Sequence, residues 1–204
     1  MAASTLSFFF MTIAEKQQLR AHLKGLRRSV GEARDRSSRL AAWRLLSLVP
    51  VDQSPIVALF WSLADEIDTS PIRSLLETLD LDLALPRMTG REMPLVFHQW
   101  RSGDTLISGP MGVQEPASSS NAVAPDVIIV PLLGFDCDGY RLGYGGGFYD
   151  RTLAGLRQSG LNPLSIGLAF DCQRVDKIPR EPQDEPLEFI VTEAQIYCCG
   201  SQET

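Results

Sequence analysis

Apolar residues recur along this chain in two rhythms. Between Ile13 and Val30, Leu19, Leu23, Leu26 and Val30 fall three or four positions apart, with Lys16, Arg20 and Lys24 flanking the stripe. That spacing predicts an amphipathic helix. A second helix is predicted from Glu32 to Leu48, carrying Leu40, Trp43 and Leu46, and a third from Ser70 to Leu79, with Pro71 in its first turn. The other rhythm is the short unbroken apolar run. Ile56–Trp61, Leu83–Leu85, Val96–Trp100, Val127–Pro131, Ser165–Phe170 and Phe189–Thr192 have the length of strands buried on both sides. A further helix is predicted over Tyr149–Leu156, and residues 103–125, rich in Gly, Pro, Ser and Ala, read as a surface connection. Buried strands alternating with helices predict an α/β fold, a three-layer, mainly parallel sheet with helices on both faces. Ligands in such sheets bind at the carboxyl ends of the strands. Asp65-Glu66, Arg87, the glycine-rich stretch after Val130 and Asp171 all follow predicted strands.

That glycine-rich stretch, Arg141-Leu142-Gly143-Tyr144-Gly145-Gly146-Gly147-Phe148-Tyr149-Asp150, carries the most chemistry. A strand, a glycine loop and a helix in that order offer backbone N–H groups and a helix N-terminus to an anion. Arg141 adds a guanidinium fork suited to phosphate, and Asp150 a hard oxygen suited to magnesium. The glycines run into Phe148-Tyr149, where a Walker loop has Lys-Ser/Thr and a dinucleotide fingerprint has a small residue. A bare turn is the competing reading, but it needs neither Arg141 nor Asp150.

The chain has 204 residues and a formal charge of −6, which weighs against a nucleic-acid partner. Basic residues do gather early, in Arg20, Lys24, Arg27, Arg28, Arg34, Arg36 and Arg39, as a solvated helix face or an anion-attracting rim. Four cysteines (Cys137, Cys172, Cys198, Cys199) form no C-x-x-C pair, and there are two histidines. That inventory suits neither zinc nor a disulfide framework, and fits a reducing cytoplasm. The apolar patch Leu6, Phe8-Phe9-Phe10 follows no positive charge and is too short to span a bilayer. Thr12-Ile13-Ala14-Glu15 reads as a capping box that opens the first helix. The expectation is a disordered extension over residues 1–11, one domain over 12–197 and a tail over 198–204.

Gly134-Phe135-Asp136 followed by Gly139-Tyr140-Arg141 through Asp150-Arg151 resembles the signature of the 5-formyltetrahydrofolate cyclo-ligase (5,10-methenyltetrahydrofolate synthetase) family. The likeness runs from about Lys16 to about Glu193. It implies a Rossmann-like fold with a layout related to ribose-phosphate isomerase and CoA-transferase domains. It also implies ATP-dependent cyclisation of 5-formyltetrahydrofolate to 5,10-methenyltetrahydrofolate, releasing ADP and phosphate. By resemblance, Lys16, Arg20, Arg141, Gly143, Tyr144, Gly145, Gly146, Gly147, Phe148, Tyr149 and Asp184 bind ATP. Trp61, Glu66 and the loop positions Tyr144, Gly145, Gly146, Gly147 and Phe148 bind the folate. Asp150 and Asp184 hold magnesium, and Arg141 and Asp150 are catalytic. Gly109-Pro110-Met111-Gly112-Val113-Gln114-Glu115-Pro116 resembles a bacterial Gly-x-x-Gly-x-x-Glu-Pro segment to which no step is assigned, and Pro86-Arg87 a Pro-Arg pair facing phosphate or carboxylate. Gly146 stands where some members carry lysine, and Phe148 where tyrosine is common. The expected partners are small molecules only, with no nucleic acid and no membrane, and the expected state is a monomer. Two other readings stand beside this one: a sugar-phosphate isomerase-like enzyme on a related fold, and a non-catalytic folate-binding protein.

Overall fold

The computed structural model describes residues 2–199. Four helices are α1 (Ala2–Ser29), α2 (Arg34–Leu46), α3 (Ser70–Thr78) and α4 (Phe148–Gln158). The strands are β1 (Val57–Ala58), β2 (Leu83–Met88), β3 (Leu95–Trp100), β4 (Leu106–Ser108), β5 (Gln114–Pro116), β6 (Ala122–Val123), β7 (Val127–Pro131), β8 (Gly134–Phe135), β9 (Arg141–Leu142), β10 (Leu164–Leu168), β11 (Phe189–Val191) and β12 (Ile196–Cys198). Eight of them form one sheet in the order β12-β11-β10-β7-β1-β2-β3-β6. Its five central strands, β11 to β2, run parallel, and β12, β3 and β6 add antiparallel edges.

Strand β7 shows why the expected three layers form. Side chains alternate across a strand. Val127 and Ile129 join a core with Ala41, Ala42 and Leu45 of α2 and Ile72 and Leu76 of α3. Ile128 and Val130 point the other way, into a core with Leu153 of α4. Helices therefore cover both faces. A third cluster seats α1: Leu23 is buried against Leu142 and Ile178, with Leu19 and Leu26 beside it. The predicted stripe of α1 is thus its docking face, laid against the strand that leads into the glycine loop.

Four expectations are corrected. On α2 the buried residues include Ala41, Ala42 and Leu45, while Trp43 and Leu40 are exposed. Small residues let α2 approach the sheet closely, and the larger side chains on its other face stay outside. The connection over 103–125 is not structureless. It holds the β4–β5 hairpin and the edge strand β6. The last core strand is followed by β12, and Cys199 is buried, so the structured chain runs into what was expected to be tail. Residues 200–204 of that tail lie outside the described residues. Finally, α1 is helical from Ala2, so its backbone does not begin at Thr12. Residues 2–12 contain neither Gly nor Pro, and extending a nucleated helix costs little per residue. The capping-box side chain of Thr12 and the apolar patch of residues 6–10 lie outside the described side chains.

Candidate active site

The carboxyl ends of β1, β2 and β7 open into a cleft of about 850 Å³. Phe60, Trp61, Pro86, Met88 and Pro131 line it from the strand ends, as the sheet's topology leads one to expect. The glycine loop from Gly143 to Gly147 lines it too, along with Lys16 and Arg20 of α1 and the segment Glu181–Glu185.

The loop is shaped for an anion. Gly145 and Gly147 have φ of +99° and +63°, backbone that other residues adopt only with strain. Gly147 caps α4 in this left-handed conformation. Among the described residues, no backbone N–H from Gly145 to Phe148 donates to a protein group. These donors sit at the positive end of the α4 dipole and line the cleft.

Two partly buried ion pairs frame the loop. Arg141 donates to Asp150 at 2.7 Å and to the carbonyl of Glu185 at 2.7 Å, and its side chain is 6% exposed. Burial pushes the Arg141 pKa down, while the carboxylates of Asp150 and Asp184 resist that shift. Lys16 lies 3.0 Å from Asp184 and 3.3 Å from Glu181, and Asp184 also accepts the Glu181 N–H at 2.8 Å. Arg20 donates through Nε to the Gly143 carbonyl at 2.9 Å, and the outer face of Gly145 lies against its guanidinium. The cations expected at phosphate thus do gather at the loop. Arg141 and Lys16, however, are already paired, and they strap the 181–185 segment across the loop.

The expected folate residues meet the same cleft. Trp61 stands edge-on to Trp100, ring centroids 6.0 Å apart, has the Arg73 guanidinium 5.6 Å from its ring centre, and lines the cleft. Glu66 is buried and accepts the Leu63 N–H at 2.8 Å and the Tyr144 hydroxyl. Arg27 stands over both, donating to the Tyr144 oxygen at 2.7 Å and reaching Glu66 at 3.5 Å. Burial raises the Tyr144 pKa, and the Glu66 carboxylate raises it further, so the phenol keeps its proton and serves as donor. Burial likewise raises Tyr149. Arg27 was hidden in the early basic cluster. It is 4% exposed, so it belongs neither to a solvated face nor to a rim. Burial alone would lower its pKa, but Tyr144, Glu66 and Asp65 outweigh that and raise it. The signal was in the spacing: Arg27 stands four positions after Leu23 and three before Val30, on the apolar stripe of α1, whereas Arg28 does not.

Arg87 does not face the cleft. It donates to the Pro116 carbonyl at 2.7 Å and so holds the β4–β5 hairpin onto β2. Cys137 is exposed and free, outside the cleft lining. Among the described residues no group of three or more His, Cys, Asp or Glu side chains gathers to cage a metal. Magnesium does not need such a cage, because it binds through one or two carboxylates and the phosphates of a substrate. Asp150 and Asp184 both line the cleft, and their hard oxygens fit that mode.

The family model for the 5-formyltetrahydrofolate cyclo-ligase family matches residues 12–193. The chain belongs to the 5-formyltetrahydrofolate cyclo-ligase family. It is 34% identical over 174 residues to the 5-formyltetrahydrofolate cyclo-ligase of Escherichia coli (strain K12), spanning 81% of this chain and 93% of that one. It is 32% identical over 197 residues to the enzyme of that name from Mycolicibacterium smegmatis, spanning 89% and 95%. The NMR structure of Aquifex aeolicus 5,10-methenyltetrahydrofolate synthetase superposes with a TM-score of 0.77 at 29% identity, covering 93% of this chain and 95% of that one. A Mycoplasma pneumoniae 5,10-methenyltetrahydrofolate synthetase shares the fold, with a TM-score of 0.69 at 21% identity and coverage of 87% and 98%. Cyclo-ligase membership makes the chain an enzyme of the ligase type. The matched span begins at residue 12, the position where the capping box was read.

Proposed function

We propose that this chain closes 5-formyltetrahydrofolate to 5,10-methenyltetrahydrofolate at the expense of ATP, with both substrates in the cleft described above. The observation that carries this reading is the meeting, in one cleft, of an anion-shaped glycine loop with an apolar, acid-bearing wall. The loop and the cations of α1 suit a triphosphate, while Trp61, Met88 and the buried acids suit a flat ring rich in N–H groups.

In the proposed reaction the formyl oxygen attacks the γ-phosphorus and ADP leaves. The resulting imidate phosphate carries a good leaving group. The neighbouring anilino nitrogen then attacks the formyl carbon and loses its proton, phosphate departs, and the five-membered ring is closed. Such chemistry asks mainly for alignment and for neutral surroundings around the phosphoryl oxygens. The N–H groups of Gly145–Phe148 supply fixed donors at no cost of reorganisation, because the loop is held by Arg20 and by the Arg141–Asp150 pair. Lys16 and Arg20 neutralise the triphosphate. Magnesium, when present, would add charge neutralisation at Asp150 and Asp184. Glu66, Tyr144 and Trp61 orient the folate. Tyr144 links the two sets, since it belongs to the glycine loop and bonds the acid on the other wall.

We place the enzyme in the cytoplasm and expect it to act as a monomer on small molecules alone. Among the described residues no helix is long and apolar enough to cross a membrane. The reading is tested by mixing protein, ATP, magnesium and 5-formyltetrahydrofolate and following the methenyl absorbance together with ADP. Equal amounts of both products support it. Methenyl formation without ADP, or ADP formation that ignores the folate, overturns it.

A further inference from the structure

Two buried acids line the cleft, and they differ in what already occupies them. A carboxylate offers about four acceptor positions. On Glu66, Oε1 takes the Tyr144 hydroxyl and faces Arg27 at 3.5 Å, and Oε2 takes the Leu63 N–H at 2.8 Å. Its charge is balanced by Arg27. Glu115 is 3% exposed, and Oε1 accepts one N–H, from Met88 at 3.2 Å. Among the described residues its Oε2 has no hydrogen-bond partner and no cation comes within ion-pair distance. Oε2 is not closed off: most of the Glu115 side chain is buried, while this oxygen stays open to what enters the cleft.

The fold nonetheless holds Glu115 in place. It sits in β5, paired with β4, and Arg87 fixes the next residue's carbonyl. A side-chain carbon at Gly109 would collide with the Glu115 carboxyl group, so the chain leaves room for it there. The cleft residues near it in sequence or sheet, Met88, Leu95 and Val113, are apolar.

We propose that Glu115 is a further folate-binding residue, its free Oε2 accepting an N–H of the reduced pterin ring while the apolar neighbours take the ring's faces. This rests on the cyclo-ligase reading above. An acid with one oxygen held by Met88 and the other open to the cleft, in an apolar wall, suits a flat ligand that brings its own donors. Phosphate would be repelled by it.

The test is equilibrium binding of 5-formyltetrahydrofolate and of ATP, each alone, to the wild type, Glu115→Gln and Glu115→Ala, with melting temperatures alongside. Glu115→Gln keeps an oxygen for the Met88 N–H but loses the charge. It is expected to raise the Kd for 5-formyltetrahydrofolate about tenfold or more, the loss of one charged hydrogen bond, and to leave the ATP Kd within about twofold. Unchanged folate binding in Glu115→Gln, or a rise in the ATP Kd instead, overturns the assignment and makes Glu115 a structural acid or an adenine contact. If Glu115→Ala fails to fold, the Glu115→Gln result still decides. A wild type that binds no 5-formyltetrahydrofolate overturns the activity reading and this proposal together. A wild type that binds it, beside a Glu115→Gln variant that binds it equally, overturns only the role of Glu115.

Discussion

The two walls of the cleft solve opposite electrostatic problems. On the wall built by α1, the glycine loop and residues 181–185, every acid singled out has a cation beside it: Asp150 has Arg141, Asp184 has Lys16. On the wall built from the strand ends, Glu115 has none and Glu66 has only the 3.5 Å approach of Arg27. On the proposed reading, charge is pre-paired where the triphosphate would come and go, and donors are left for the ligand to bring where the pterin ring would be recognised. The paired wall is stiffened by its own salt bridges, which is how a loop with three successive glycines can hold a fixed shape.

The largest effect should come from breaking the stiff wall. Arg141→Ala removes both a phosphate-side cation and the partner of Asp150. Turnover is expected to fall roughly a thousandfold, as for other arginines that serve phosphoryl transfer. The pair is nearly buried, so stability should also fall by about 3 kcal/mol, lowering Tm by roughly 6–12 °C. Arg141→Lys keeps the charge without the fork and should land between. Wild-type turnover in Arg141→Ala would remove the charged wall from the mechanism.

Asp150→Asn is milder because it keeps the shape. If Asp150 meets a hard cation, the magnesium needed for half-maximal turnover should rise about tenfold. A magnesium titration that overlays the wild type would leave Asp150 solely as the partner of Arg141.

The smallest effect is expected at the chain's start. Deleting residues 1–10 should leave turnover and Tm unchanged, since the family match begins at residue 12 and the docked stripe of α1 begins at Leu19. Cutting on through Arg20 should abolish ATP use, because it removes Lys16 and Arg20. Inactivation by the short deletion would show that α1 docks through its first three turns.

The two walls were not equally legible in the sequence. The charged wall lies close to one continuous motif, and local rules read it: positive-φ glycines, a helix start, and cations four apart on α1. What those rules could not show was pairing. The Lys16–Asp184 contact joins residues 168 apart, and no local pattern reports it. The strand-end wall is assembled from β1, β2 and the β4–β5 hairpin, inside a stretch whose Gly, Pro and Ser content reads as surface connection. Glu115 could be singled out there by its segment's resemblance but not given a task, because an acid oxygen left open in an apolar wall is visible only in the fold. The parallel core was legible for a simple reason, namely that strands buried on both faces must be apolar throughout, as β7 is. Arg27 was missed because its charge grouped it with the exposed arginines around it, although its place four after Leu23 and three before Val30 puts it on the docked stripe.

The division of labour between the walls is tested most directly by one pair of steady-state measurements. Lys16→Ala and Glu66→Gln are each assayed for methenyl formation while ATP and 5-formyltetrahydrofolate are varied in turn. A crossed result is expected. Lys16→Ala should raise the KM for ATP about tenfold and leave the folate KM nearly alone, and Glu66→Gln should do the reverse, each from the loss of a charged contact. If both variants raise both KM values together, the cleft has no such division.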